Sequence, residues 1–415
     1  MTTFAKGLFF LKHIHISELK PGMRVVNPGL AWTTHPYLYM ADEVIASEEA
    51  VQKLIEEGYQ DVYIDPQRSE KAIPPPTLIA TDRVIVESAI APSLKPKVLL
   101  AEEMASAAGV HDDSVSYVRS FMRDMRSGKL DMKPAGEIIE RIMGSLERNA
   151  DALTSLCRLR RTDSYTYMHC VNVAVLTALY ARQGGKGQEE VYACALAGLF
   201  HDLGKSLTPP TILNAPRKLT NAERMVMNEH PKKGYEELTQ VPGIRPEVLL
   251  GALHHHEKFN GDGYPQGLPG KEVSEVGFMV GVADIYDALT SKRVYKEAMF
   301  PHRALGIMYE MRDKDLPTET LVHFIRMMGV YPVGSVVQMN DGSRGVVTMS
   351  NPEQPVKPVV TLVRDPRGKK MPERTYDLVS GSGGLEIDHC VAPEHTDIDP
   401  VAVLGLPTQR GQGSP

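Results

Sequence analysis

The sequence predicts a mainly α protein, with an all-helical core set between a small α+β module and a small β module. Three observations carry this. From Val98 to about Gly329, apolar residues recur at helical spacing in segment after segment. Before that block, short strand-like runs flank one helical stretch; after Tyr331, β-like runs are separated by turn residues. A length of 415 residues also suits two or three domains at roughly 100–200 residues each. The expected division is an α+β domain over 1–70, a linker with connecting helices over 71–134, and the helical domain over 135–330. A β module over 331–395 and a disordered polar tail over 396–415 complete the chain.

Taken in order, LKPGMRVV within Ile16–Pro28 reads as a turn followed by a strand. Glu48–Glu57 is helical in pattern with Gly58 as its stop, and Asp61–Ile64 (DVYI) alternates like a short strand. Gln67–Pro96 is polar and proline-rich, then β-branched, and begins as a loop or linker. Helices are expected over Val98–Ala108, Ser114–Ser127, Ala135–Arg148, Ala150–Arg182 and Glu189–Leu203, with the glycine-rich Gly184–Gly187 as a break. Asn221–Thr239, Pro246–His256, Val273–Thr290 and His302–Lys314 continue the block. Pro332–Met339, Gly345–Met349 and Val356–Val363 are the β-like runs, with turns at Asn340–Gly342, Asn351–Pro352 and Asp365–Gly368.

Composition narrows the function. A net charge of −6 gives no basic bias for duplex nucleic acid, whereas a small phosphorylated ligand needs only a few local cations. Cys157, Cys170, Cys194 and Cys390 form no CxxC pair, which argues against a zinc knuckle or disulfide framework and for reduced thiols in a cytoplasmic protein. The apolar run Gly7–Leu11 is too short for a signal sequence, and no segment approaches the roughly 20 apolar residues of a membrane span. The protein is therefore expected to be soluble, with no membrane partner.

The chemistry concentrates in the helical block. Six of fourteen histidines fall between His169 and His256, together with two aspartates in suggestive settings. The groups are Tyr165–His169, His201-Asp202 followed by Lys205 in GLFHDLGKS, His230 in NEHPKKG, the run His254-His255-His256-Glu257, and Asp284 in VGVADIYDALTS. Imidazole nitrogen and carboxylate oxygen are the ligand set of iron, manganese, nickel or zinc, and a carboxylate can bridge two ions through its two oxygens. The absence of cysteine from the set argues against a purely structural zinc site. An apolar helix such as Cys194–Phe200 would not casually end in His-Asp, because burying such groups is costly unless they are paired or metal-bound. The remaining histidines, His13, His15, His35, His111, His302, His323, His389 and His395, read as ordinary packed or solvated side chains.

HDLGK resembles the signature of the HD superfamily, and HHEKFNGDGYP resembles the HHE-x-x-DGxGYP element of its HD-GYP subgroup. ADIYDALTSKRVYK is similar to the segment that follows it there, so the likeness covers about residues 135–330. ELKPGMRVV, Trp32…His35-Pro36 and GYQDVYID resemble the uncharacterised domain often found ahead of HD-GYP modules.

The resemblance implies an HD-type metal-dependent phosphohydrolase core with metal ligands at His169, His201, Asp202, His230, His255, His256 and Asp284. Asp202 would bridge two ions, and His254, the extra histidine of the run, stays outside the set. Two divalent ions would lower the pKa of a water and offset the charge of a phosphodiester. Asp202 and Lys205 are the implied catalytic residues. Lys205, Gly263, Tyr264, Pro265, Arg293 and Lys296 are implied to meet the substrate, with Asp287 supporting the site by hydrogen bonding. Members with three ions carry a glutamate four residues before the first histidine; Tyr165 stands there, so two ions are expected, iron first, then manganese or nickel. Asn260 and Asp262 also depart from the commoner loop residues. The implied activity is hydrolysis of cyclic di-GMP to linear pGpG, with GMP as a further product left open. A low-activity cyclic dinucleotide receptor or protein-interaction module, and a phosphodiesterase for hybrid cyclic GMP-AMP, are the alternatives. A homodimer or a signalling-protein partner stays open, and cyclic di-GMP enzymes as a class influence motility, biofilm and virulence.

Overall fold

The computed structural model describes residues 11–26, 38–39, 43–57, 59–65, 96–125, 132–159, 165–291 (apart from 214, 216 and 218), 299, 301–351, 353–380, 383–391 and 396–405. Residues 67–95 of the expected Gln67–Pro96 linker, Gly58 and the Trp32…His35-Pro36 stretch lie outside them.

Strands β1 (Lys12–His15), β2 (Arg24–Val25), β3 (Leu38–Tyr39), β4 (Glu43–Val44) and β5 (Asp61–Asp65) form a sheet in the order β1-β5-β2-β4, with β3 pairing β5 in parallel. Helix α1 (Glu48–Glu56) begins where the Ser47 hydroxyl accepts the Ala50 N–H. The alternation of DVYI does two jobs. Val62 and Ile64 pack with Ile14, Val25, Val51 and Leu54, whereas Tyr63 on the opposite face joins the large helical core.

That core begins with α2 (Leu100–Met125) and α3 (Lys133–Leu159), which pack along each other. The sequence suggested a break near Gly109. Instead α2 is continuous, because buried residues on both sides of that glycine hold it, among them Met104, Ala107, Val118 and Phe121. Glycine there costs only about 1 kcal/mol relative to alanine. Thus α2, expected as a connecting element, is part of the main core. Helix α3 bends at Asn149, where one expected helix ends at Arg148 and the next begins at Ala150: Asn149 leaves helical geometry (φ −159°, ψ 103°). Its amide donates to the Val98 carbonyl and its Oδ1 accepts the Asp151 N–H, local bonds that compete with the helix.

Helices α4 (Tyr165–Gln183) and α5 (Gln188–Phe200) are apolar nearly all round and sit at the centre. They touch at Gly198, where an added Cβ would lie 2.9 Å from the Ala174 Cα. A 3-10 turn (Leu203–Leu207), α6 (Pro210–Leu213), α7 (Asn221–Asn228), α8 (His230–Leu238) and α9 (Pro246–His254) follow, then α10 (Glu275–Thr290), α11 (Pro301–Glu310) and α12 (Thr318–Met328). The single helix expected over Asn221–Thr239 is two, because Pro231 in the first turn of α8 has no N–H to continue the ladder of α7. Gly329, at φ +73°, ends α12.

Strands β6 (Val336–Met339), β7 (Arg344–Met349), β8 (Val359–Arg364), β9 (Lys370–Asp377) and β10 (Ile387–Cys390) make an antiparallel sheet in the order β10-β6-β7-β8-β9. The sequence did not reveal β9, because this edge strand (KMPERTYD) is mostly exposed and lacks apolar alternation. The expected polar tail needs correction over 396–405. Ile398 and Leu404 are buried there, and the Arg364 guanidinium grips Asp397 through two hydrogen bonds of 3.0 and 2.6 Å. No described helix is long and apolar enough to cross a membrane.

Candidate metal centre

Side chains from the ends of α4, α5, α8, α9 and the middle of α10 converge at one buried point. His169 lies in the second turn of α4, and His201-Asp202 follow the last residue of α5. His230 opens α8, His255-His256 follow α9, and Asp284 lies on α10. Small residues make this convergence possible. An added Cβ at Gly204 would fall 2.0 Å from the His230 carbonyl oxygen, and one at Gly281 would fall 2.8 Å from that of His255.

The donors sort into two groups: Asp202, His230, His255 and His256 in one, His169, His201 and Asp284 in the other. Within each group the facing atoms lie within 4.8 Å of one another. Asp202 stands between them. Its Oδ1 lies 3.3 Å from His230 Nε2 and 3.8 Å from His255 Nε2, and its Oδ2 lies 3.4 Å from His201 Nε2 and 3.6 Å from His169 Nε2. Asp284 completes the ring, with Oδ1 3.0 Å from His169 Nε2 and Oδ2 3.8 Å from His256 Nδ1.

The outward-facing ring nitrogens explain why the inward ones are available. His201 Nδ1 donates to the Gly198 carbonyl at 2.7 Å, His230 Nδ1 to Met227 at 2.9 Å, and His255 Nδ1 to Ala252 at 2.9 Å. Each of these carbonyls lies three residues back along the chain. Their bonds place the proton on Nδ1 and leave the Nε2 lone pair pointing inward, as a metal ligand requires. His169 Nδ1 is held instead by a carboxylate, Asp287, whose Oδ2 accepts from it at 2.8 Å.

The electrostatics agree. Burial and neighbouring histidines hold the His255 and His256 rings well below their usual pKa, so both are neutral. Burial works against the Asp202 carboxylate, but Lys205 and His201 outweigh it and keep the group well below the usual range. His169 is the exception: burial is outweighed by the Asp284 and Asp287 carboxylates, one on each ring nitrogen, which push it up to about 9, so these carboxylates favour a cation at this position.

A divalent transition-metal pair fits this donor set. Among the described residues, His201 Nε2 and Asp202 Oδ1 are buried without a hydrogen-bond partner, a costly arrangement unless a cation fills it.

The remaining expected residues fall as follows. Lys205 Nζ lies 2.6 Å from Asp202 Oδ2 and is about a quarter exposed. Tyr264 lays its ring on His256 (centroids 4.7 Å apart, 31° between planes) and meets His230 edge-on at 6.4 Å. Gly263 is needed by packing, since a Cβ there would sit 2.3 Å from the Lys258 nitrogen. Pro265 follows in the same loop, joined to Tyr264 by a cis peptide bond. Asp287, expected to support the site by hydrogen bonding, has both oxygens engaged by protein: Oδ1 accepts from Asn172 at 2.7 Å and Ser291 at 3.0 Å, and Oδ2 from His169. Its place is behind His169. Arg293, Lys296 and the side chain of Tyr165 lie outside the described residues.

Three participants were given no role from the sequence. Asn172 lies one helical turn after His169, a spacing that puts both on one face. Buried Glu257 accepts the Gln266 N–H at 2.7 Å and the Leu268 N–H at 3.0 Å, tying down the Tyr264 loop. His254 joins Gln266 to Ser274, with 3.1 Å contacts to each side chain.

Comparison with known proteins places this geometry. Residues 147–316 match the family model of the HD domain, 11–135 a domain of unknown function (DUF3391), and 336–395 a KOW domain associated with HD domain. The cyclic di-GMP phosphodiesterase PA4108 of Pseudomonas aeruginosa is 33% identical over 370 residues, 89% of each chain. The cyclic di-GMP phosphodiesterase response regulator RpfG of Xanthomonas campestris is 35% identical over 230 residues, 51% of this chain and 60% of that one. The 3'3'-cGAMP-specific phosphodiesterase 1 of Vibrio cholerae is 31% identical over 175 residues, 42% of this chain and 40% of that one. With a relative matched across nearly its whole length and the His/Asp centre assembled, the chain belongs to the metal-dependent HD-domain phosphodiesterases of the HD-GYP type.

Proposed function

We propose that this chain hydrolyses cyclic di-GMP to linear pGpG in the bacterial cytoplasm, with two divalent transition ions, iron first and manganese or nickel next. The observation that carries the reading is the position of Asp202, whose two oxygens face two separate donor groups. Ligands for one ion would be His230, His255 and His256, for the other His169, His201 and Asp284, with Asp202 shared. Such ions supply neutralisation of the phosphodiester's charge and a lowered pKa for water.

The chain's own groups do the rest. The carbonyl and Asp287 contacts hold each imidazole in one tautomer. Lys205 places a fixed positive charge beside Asp202, where an anionic phosphate meets it before any solvent reorganises. The Tyr264 ring beside His256 gives a flat apolar surface next to the centre, suited to a nucleobase. Arg293 and Lys296 are proposed partners for the second phosphate or a base.

The test is turnover of cyclic di-GMP by anaerobically purified protein, with metal content measured on the same sample. Linear product with about two ions per chain supports the reading; intact substrate on a fully loaded protein moves it to a receptor role. The similarity to a cGAMP-specific relative favours hybrid cyclic GMP-AMP as the second substrate to try.

A further inference from the structure

A line of buried hydrogen bonds runs from α2 to the metal centre. His111 Nε2 lies 3.1 Å from Asn172 Oδ1. Asn172 Nδ2 donates to Asp287 Oδ1 at 2.7 Å and to the Cys157 carbonyl at 3.1 Å, and Asp287 Oδ2 accepts from His169 Nδ1 at 2.8 Å. Each side chain in the line is at most 4% exposed, so water does not compete for these bonds.

The direction of each bond follows from chemistry. A carboxylate accepts and does not donate, so Asn172 must present its NH2 group to Asp287. The same group serves the Cys157 carbonyl, which leaves Oδ1 of the amide facing α2. A buried carbonyl oxygen needs a donor, and His111 Nε2–H is the group placed to give it. Reversing the amide would set its oxygen against the acceptors of Asp287 and Cys157 and its NH2 against the His111 Nε2–H donor. His111 therefore locks the one amide orientation in which Asp287 is held by a donor.

We propose that His111 is a positioning residue for the metal centre, acting through Asn172 and Asp287 on the tautomer and direction of His169. The proposal rests on the metal-centre reading above. It also gives work to a stretch with none assigned: His111 lies within residues 11–135, the match to a domain of unknown function, so that region helps build the centre itself. From the sequence alone His111 read as an ordinary packed histidine.

The test uses the full-length chain and cobalt(II), whose visible absorption reports ligand geometry. His111→Gln keeps a donor, whereas His111→Leu and His111→Phe remove it at two different volumes. Whichever apolar variant melts like the wild type is the one compared. The expected result is cobalt affinity weakened about tenfold with an altered spectrum in that variant, and a return toward wild-type values in His111→Gln. Wild-type affinity and spectrum in the apolar variant overturn the proposal. So does an equal loss in His111→Gln, which would mean that volume and not the donor matters. A wild-type protein that takes up no cobalt overturns the metal-centre reading beneath it.

Discussion

Asp287 Oδ2 accepts the Nδ1 proton of His169 at 2.8 Å across 118 residues of sequence, joining α10 to α4 behind the metal centre. Its other oxygen is held by Asn172 and Ser291, so the carboxylate cannot turn away. Asp287→Ala is expected to weaken metal affinity and turnover by about 10–100-fold while leaving KM much less changed. A large rise in KM with unchanged metal affinity would place Asp287 against the substrate instead.

Asp202 faces both donor groups, with each of its oxygens within 3.8 Å of two histidine nitrogens. Asp202→Ala should abolish turnover and most bound metal while the far-ultraviolet circular dichroism stays helical. Elemental analysis showing one ion fully retained would overturn the bridging role.

Glu257 is expected to govern the loop and not the chemistry. Its carboxylate carries two backbone N–H groups of the segment that holds Tyr264, and leaving those donors without an acceptor costs about 1–3 kcal/mol. Glu257→Ala should raise KM and increase protease cleavage between Gly261 and Pro269, with metal content near that of the wild type. Unchanged proteolysis would remove the loop from the argument.

Gly281 lets α10 approach the carbonyl of His255. A methyl group has no room there, and overpacking costs about 1–3 kcal/mol. Gly281→Ala should lower the melting temperature by about 2–4 °C for each kcal/mol lost and reduce metal content with it. A variant as stable as the wild type would show that α10 shifts freely.

The C-terminal segment carries a pH dependence. The Asp397 carboxyl is held below its usual pKa, first by the hydrogen bond from Arg364. A carboxyl lowered on folding stabilises most above its unfolded pKa of about 3.9 and loses that contribution as pH falls toward the lowered value. Hydrogen exchange over 396–405 should therefore quicken below about pH 4 in the wild type, and already at neutral pH in Asp397→Asn. Equal protection in the two proteins at pH 7 would show that burial of Ile398 and Leu404 suffices.

Much of the architecture was legible from local pattern. The long apolar runs mark α5 and α10, and the alternation of DVYI marks β5, because these elements are buried on nearly all sides. Elements without that regularity stayed hidden. Strand β9 owes its existence to pairing with β8.

By itself the sequence determined the kind of chemistry: imidazoles and carboxylates in one helical block, in an order that resembles the HD-GYP pattern, with Asp202 as the bridging candidate. Only the tertiary structure decided which residues stand behind them. Asp287 sits behind His169 and not against the solvent-facing side, and His111 is joined to it through Asn172. The reason is physical. Which residue types could hold a metal can be read locally. A supporting hydrogen bond depends on which helices cross, and these four residues lie on α2, α4 and α10, brought together by burial of the apolar faces around them.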